Sequence, residues 1–136
     1  LQKISLKYNL PLIEDSAEAL GSIYKNTRAG KFGIASVHSF HRTKTITTGE
    51  GGFLLIDDEE IYNRAKFLRD HGRSNKIPYY TLEATPKYMP SNLQGALALA
   101  QFQRIDELIT KKRYIFKFYK NYFAHINDIT INGRNV

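Results

Sequence analysis

A single lysine, Lys44, stands between a strand-like apolar run and a loop dense in hydroxyls and glycines, in the stretch S-F-H-R-T-K-T-I-T-T-G-E-G-G from Ser39 to Gly52. An amine at such a junction is suited to form a Schiff base with a carbonyl cofactor. Upstream, Leu10-Pro-Leu-Ile-Glu-Asp15 reads as a short buried strand that delivers a carboxylate at its end, where open α/β sheets commonly bind ligands. Together the two segments suggest pyridoxal 5'-phosphate. That cofactor needs an amine for its aldehyde, an acid partner for its pyridine nitrogen, donors for its phosphate and a surface against its ring. Lys44 supplies the amine and, once displaced, can carry a proton between substrate carbon and cofactor. Asp15 is the candidate for the pyridine nitrogen. Ser39, five positions before Lys44, offers a hydroxyl to the phosphate. Ala17 is small enough to let the ring lie close to the backbone, and Glu18 reaches the ring hydroxyl from the edge.

Each of these residues also has a plainer reading. An Asp after a strand often caps a turn or helix, a loop Lys is usually solvated, and T-T-G-E-G-G makes a tight turn. The glycines do not form a mononucleotide phosphate loop, since G-x-x-x-x-G-K-[ST] does not occur. His38, His41 and His71 lack a compact metal-ligand spacing, so no metal site is expected.

The elements that must position these groups follow from periodicity. Leu1, Ile4 and Tyr8 have helical spacing. After the strand, Ser16 to Leu20 reads as a helical turn closed by Gly21, Ser22 to Tyr24 as β-like, and Lys25 to Gly33 as a polar loop. Ile34 to Phe40 and Gly52 to Ile56 read as strands. Asp57 and Asp58 cap a helix whose Ile61, Ala65 and Leu68 share a face up to Gly72. Arg73 to Pro90 holds three prolines and no sustained period, marking a long loop that is functional or mobile. Ser91-Asn92 caps a helix with Leu93, Ala96, Leu97 and Ala100 in one apolar stripe. A further pattern of Leu108, Ile109, Ile115, Phe116 and Tyr119 continues it or forms a second helix.

The chain has 136 residues, 42% of them hydrophobic, and a formal net charge of +7. That suits a packed domain and leaves anionic ligands or nucleic acid open as partners. With no cysteine, disulfides and thiolate-ligated metals are excluded for this segment. No apolar run is long enough to span a bilayer, so no membrane partner is expected. The helix-like start at Leu1 and the strand-and-turn pattern of Ile126 to Val136 read as cut from a larger protein.

Four segments carry a resemblance to a known family: I-E-D-S-A-E-A-L-G-S (Ile13 to Ser22), the Ser39 to Gly52 stretch, L-R-D-H-G-R (Leu68 to Arg73) and K-Y-M-P-S-N-L-Q-G-A-L-A-L-A-Q (Lys87 to Gln101). They resemble the DegT-type (DegT/DnrJ/StrS) sugar aminotransferases, in the branch that includes perosamine synthases. The resemblance implies an α/β fold-type I pyridoxal phosphate transferase, represented here by part of its large α/β/α domain over residues 1–123 and the start of a small domain over 124–136. It implies Lys44 as the Schiff-base lysine, Asp15 at the pyridine nitrogen and Ser39 at the phosphate. It also implies a cytoplasmic homodimer in which Lys87, on a loop reaching the neighbouring site, contacts the partner's phosphate. In that loop Thr85-Pro86 and Met89-Pro90 depart from the family's usual residues.

The implied reaction moves an amino group from an amino acid, glutamate by expectation, to a keto-sugar nucleotide in cell-surface polysaccharide or related amino-sugar synthesis. Two rivals stand beside it. The family's sugar dehydratases carry a histidine where this chain has Lys44. A basic nucleic-acid-binding module would use Lys111-Lys112-Arg113, a cluster that reads instead as a solvated helix face backed by Leu108, Ile109, Ile115 and Phe116. Nucleic acid is therefore not expected as a partner.

Overall fold

The computed structural model describes residues 1–131. A short helix α1 (Gln2–Tyr8) ends at Asn9, whose left-handed φ of 50° closes the helix through its N–H to the Leu6 and Ser5 carbonyls. Strand β1 (Ile13–Asp15) is shorter than the apolar run suggests, because Leu10 to Leu12 makes the approach to it. It pairs in parallel with β4 (Ala35–Ser39), Asp15 lying opposite Val37. β4 in turn pairs antiparallel with β5 (Gly52–Ile56), giving the sheet order β1-β4-β5.

Between β1 and β4 lies a small hairpin of β2 (Ile23–Tyr24) and β3 (Thr27–Arg28). The stretch expected to be wholly loop thus contains a strand. Its turn residues Lys25 and Asn26 have φ of 47° and 64°, the two successive left-handed conformations that match a two-residue turn to strand twist. Neither is glycine, so the hairpin has no glycine signature in sequence.

Glu14 fastens the segment after the hairpin to the sheet. Its carboxylate accepts backbone N–H bonds from Gly30 (2.8 Å), Phe32 (2.6 Å) and Gly33 (2.8 Å). Gly30 has φ of 93°, and a Cβ there would meet His38 Nε2 and Ser36 Oγ at 2.9 Å. Desolvation pushes the Glu14 carboxyl up, but the three amides and nearby His38 outweigh it and hold it below the ordinary carboxylate range. His38 is 4% exposed and stacks on Phe53 at 4.5 Å, and burial lowers its pKa below the ordinary imidazole value against the opposing pull of Glu14.

Both shifts have the same sign. The unfolded chain takes up these protons before the folded one, so stability rises with pH through the titration. His38 protonation weakens the fold as pH falls through and below the ordinary imidazole range. The Glu14 contribution is full above the ordinary carboxylate range and lost as pH falls through its lowered folded value. Glu14→Gln should cost about 2 kcal/mol, because the amide's NH2 faces donors where an acceptor is needed. Thermal melts across pH should show a lower Tm and a shallower acid limb for the variant; an unchanged limb would remove Glu14 as the fastening.

Helix α2 (Glu59–Leu68) starts as expected, with Asp58 accepting from the Ile61 N–H at 2.8 Å. The loop over 73–90 is irregular but pinned to the end of that helix. Arg64 makes a two-pronged pair with Glu83 at 2.7 Å on each arm, Thr85 Oγ1 donates to the Leu68 carbonyl, and the Tyr88 N–H donates to Arg69. Helices α3 (Asn92–Phe102) and α4 (Ile105–Tyr122) are separate, broken at Gln103-Arg104. Ser91 and Gln94 form a reciprocal capping box at the start of α3.

The apolar stripe expected of α3 is not its packing face. Leu93 is 83% exposed, whereas Gln94, Ala98 and Gln101 are half-buried. Likewise, Ile115 and Phe116 on α4 are exposed rather than forming a buried backing. Among the described residues Ile46, at 1% exposure, is the only fully buried hydrophobic side chain. Ile13, Val37 and Leu54 all lie exposed on one face of the sheet. Residues 126–131 form no strand; the rest of the strand and turn expected over 126–136 lies outside the described residues.

Candidate active site

The end of β4 turns into the lysine loop under close backbone control. The Phe40 carbonyl accepts from Thr47 Oγ1 at 2.7 Å and from the Thr48 N–H at 3.0 Å, while the Phe40 N–H donates to Gly51 at 2.8 Å. Buried Ile46 anchors the loop from within. α3 holds it from outside: the Gln101 side chain accepts from the Thr47 N–H and donates to the Thr47 carbonyl, both at 3.0 Å. A second glutamine, Gln94, donates to the Glu50 carbonyl at 3.1 Å. A side-chain amide satisfies both backbone groups of one residue, as a neighbouring strand would. This role explains why the polar positions of α3 face inward.

Lys44, held by that loop, directs its Nζ to Glu18 Oε1 on the turn after β1. The lysine side chain is 15% exposed and the glutamate 85%. With one partner so open to water the pair contributes about 1 kcal/mol or less. The amine is therefore oriented but easily released.

Around it lies a cavity of about 380 Å³, lined by Ala17, Glu18, Ser39 and Lys44 together with Ser16, His38 and Thr45. That size falls within the roughly 300–1,000 Å³ of small-molecule sites. Four of the six residues singled out from sequence thus meet at one place. Ser39 Oγ accepts the His41 N–H at 3.1 Å, which leaves its own hydroxyl proton available to a ligand.

Asp15 and Lys87 stand differently. Asp15 is exposed, ends β1, and accepts the Ala17 N–H through Oδ1 at 3.1 Å, so its carboxylate shapes the turn beside the cavity without lining it. Lys87 is bridged to Asp70 through the backbone, on the pinned loop, and does not line the cavity. Sequence reasoning missed the α4 contribution: Ile109, Lys112, Arg113 and Phe116 close one wall. Their i, i+3, i+4, i+7 spacing was the available signal, since those positions fall on one helix face. The lining suits a ligand with an aldehyde for the amine and an anionic group for the hydroxyl and the α4 cations.

A family model described as the DegT/DnrJ/EryC1/StrS aminotransferase family matches residues 1–135. The chain belongs to this family. GDP-perosamine synthase of Escherichia coli O157:H7 is 40% identical over 94% of the chain and 35% of its own length. The UDP-4-amino-4,6-dideoxy-N-acetyl-beta-L-altrosamine transaminase of Campylobacter jejuni is 37% identical over 90% of the chain and 33% of its own length. Among solved structures, Helicobacter pylori PseC, an aminotransferase involved in the biosynthesis of pseudoaminic acid, superposes with a TM-score of 0.86 at 34% identity, over 93% of this chain and 34% of that one. The chain is thus part of the α/β fold-type I architecture of the DegT family and spans about a third of the length of these relatives.

Proposed function

We propose that this chain forms the central part of a pyridoxal phosphate-dependent aminotransferase that moves an amino group from an amino acid, glutamate by preference, to a keto-sugar nucleotide in amino-sugar synthesis for polysaccharides. The observation that carries the reading is the meeting of Lys44, Glu18, Ala17 and Ser39 at one cavity in a chain of the DegT family. Residues 1–123 belong to the cofactor-binding domain and 124–136 begin a smaller one; the enzyme works as a homodimer in the cytoplasm, with Lys87 serving the partner's site.

When bound, pyridoxal phosphate supplies an electron sink for breaking the C–H bond beside the amino group. Lys44 would hold the cofactor through its amine and, when free, would carry the proton at the substrate carbon. Asp15 keeps a proton on the pyridine nitrogen. Ser39 would donate its hydroxyl to the phosphate, Ala17 would leave room for the ring, and Glu18 would contact the ring from its edge.

The test is a two-stage spectroscopic titration of the intact protein reconstituted with pyridoxal phosphate. Glutamate should bleach the yellow band, and a keto-sugar nucleotide should restore it with amino-sugar formation. A bound cofactor that responds to no amino acid, or a sugar product that gains no nitrogen, would overturn the aminotransferase assignment.

A further inference from the structure

The turn from Ser16 to Gly21 follows Asp15 directly and carries Ala17 and Glu18 to the cavity. On the sheet side it is fastened by the backbone: Ser16 N–H to Val37 at 2.9 Å, Ala19 N–H to Ser16 at 3.0 Å and Ser22 N–H to Ala19 at 2.9 Å. At its far end two residues of α4 take over. Arg113 Nη2 donates to the Gly21 carbonyl at 2.8 Å, across a sequence separation of 92 residues. Ile109, one helical turn earlier, lies so close that a Cβ on Gly21 would sit 2.5 Å from its Cδ1. Gly21 also has φ of 83°, a conformation glycine adopts without steric cost. The same residue therefore satisfies a backbone and a packing requirement at one point of contact.

Arg113 lines the cavity as one of the two α4 cations, and its charge cluster reads in sequence as a solvated face. Yet its guanidinium ends on the turn that forms one cofactor wall. We propose that Arg113 is a positioning residue which, through the Gly21 carbonyl, fixes the Ser16–Gly21 turn and hence the placement of Asp15, Ala17 and Glu18 against the cofactor; this rests on the pyridoxal phosphate reading. A guanidinium-to-carbonyl bond is charge-assisted and directional. Its partner is a backbone atom, so only the Arg113 end can be varied chemically. Lysine keeps the charge and a donor of similar reach, whereas glutamine is shorter and neutral.

The experiment compares Arg113→Gln and Arg113→Lys in the intact protein by two readouts. The first is amide hydrogen exchange over residues 17–22 in protein without added cofactor. The second is release of pyridoxal phosphate during dialysis, followed by the loss of its absorption band. Arg113→Gln should speed both about tenfold, as expected for loss of a hydrogen bond to a charged group, at nearly unchanged Tm. Arg113→Lys should restore most of each.

Unchanged exchange in the glutamine variant would overturn the tether. Faster exchange with unchanged cofactor release would overturn its role in positioning the cofactor wall. A lysine variant as impaired as the glutamine one would also count against the proposal. Wild-type protein that takes up no pyridoxal phosphate would overturn the cofactor reading and the positioning role with it, while the exchange arm would still decide whether Arg113 holds the turn.

Discussion

Lys44→Ala is expected to abolish covalent retention of pyridoxal phosphate and to lower transamination by about a thousandfold or more. On the proposed reading two functions depend on one amine: attachment of the cofactor, and proton movement at the substrate carbon, a general acid–base contribution worth roughly a hundred- to ten-thousandfold. Within the described residues the other lysine at the cavity, Lys112, belongs to α4 and not to the loop that aims Lys44 at Glu18. Borohydride reduction followed by peptide mapping should place the label on Lys44 in the wild-type protein and on no residue in the variant. A label on another lysine would sink the assignment. The fold should persist, because Ile46, Gln101 and the Phe40 carbonyl, rather than the Lys44 side chain, hold the loop.

Asp15→Asn is expected to reduce turnover by about a hundredfold or more, as for loss of an electrostatic partner in a preorganised site. Glu18→Gln should cost far less, since its exposed pair with Lys44 is weak and, on the proposed reading, would be given up when the lysine holds the cofactor. The structure sharpens this comparison. Asp15 Oδ1 accepts the Ala17 N–H, and an asparagine oxygen can accept the same bond, so the substitution removes charge while keeping the turn. Steady-state rates for both variants, with melting curves to confirm intact folding, decide the matter. Equal small losses would reduce Asp15 to the turn-shaping role that its hydrogen bond displays.

The Lys44 loop shows how sequence and tertiary structure divide the information. Its hydroxyls, glycines and single lysine are local chemistry, readable because a cofactor-binding amine needs a particular residue type at the end of a strand. The strands over 35–39 and 52–56, the Asp58 cap and the Ser91 start were legible for the same reason: alternation, capping and turn preferences act over a few residues. The hairpin of β2 and β3 was not, because its left-handed turn residues are Lys25 and Asn26 rather than glycine.

The orientation of α3 and the role of α4 needed the third dimension. A leucine stripe marks an apolar face, but it does not say which neighbour that face meets. α3 instead turns Gln94 and Gln101 toward the lysine loop, where backbone groups across a separation of 54 residues require an amide partner. Arg113 reads as surface charge until Gly21 is brought beneath it. Residue types and local spacing therefore determined which side chains were candidates for chemistry, and the resemblance of four segments to a known family indicated the fold class. Only the packing decided which of them share a cavity and what holds them there, because unpaired backbone groups far apart in the chain find their partners only once the helices and sheet are assembled.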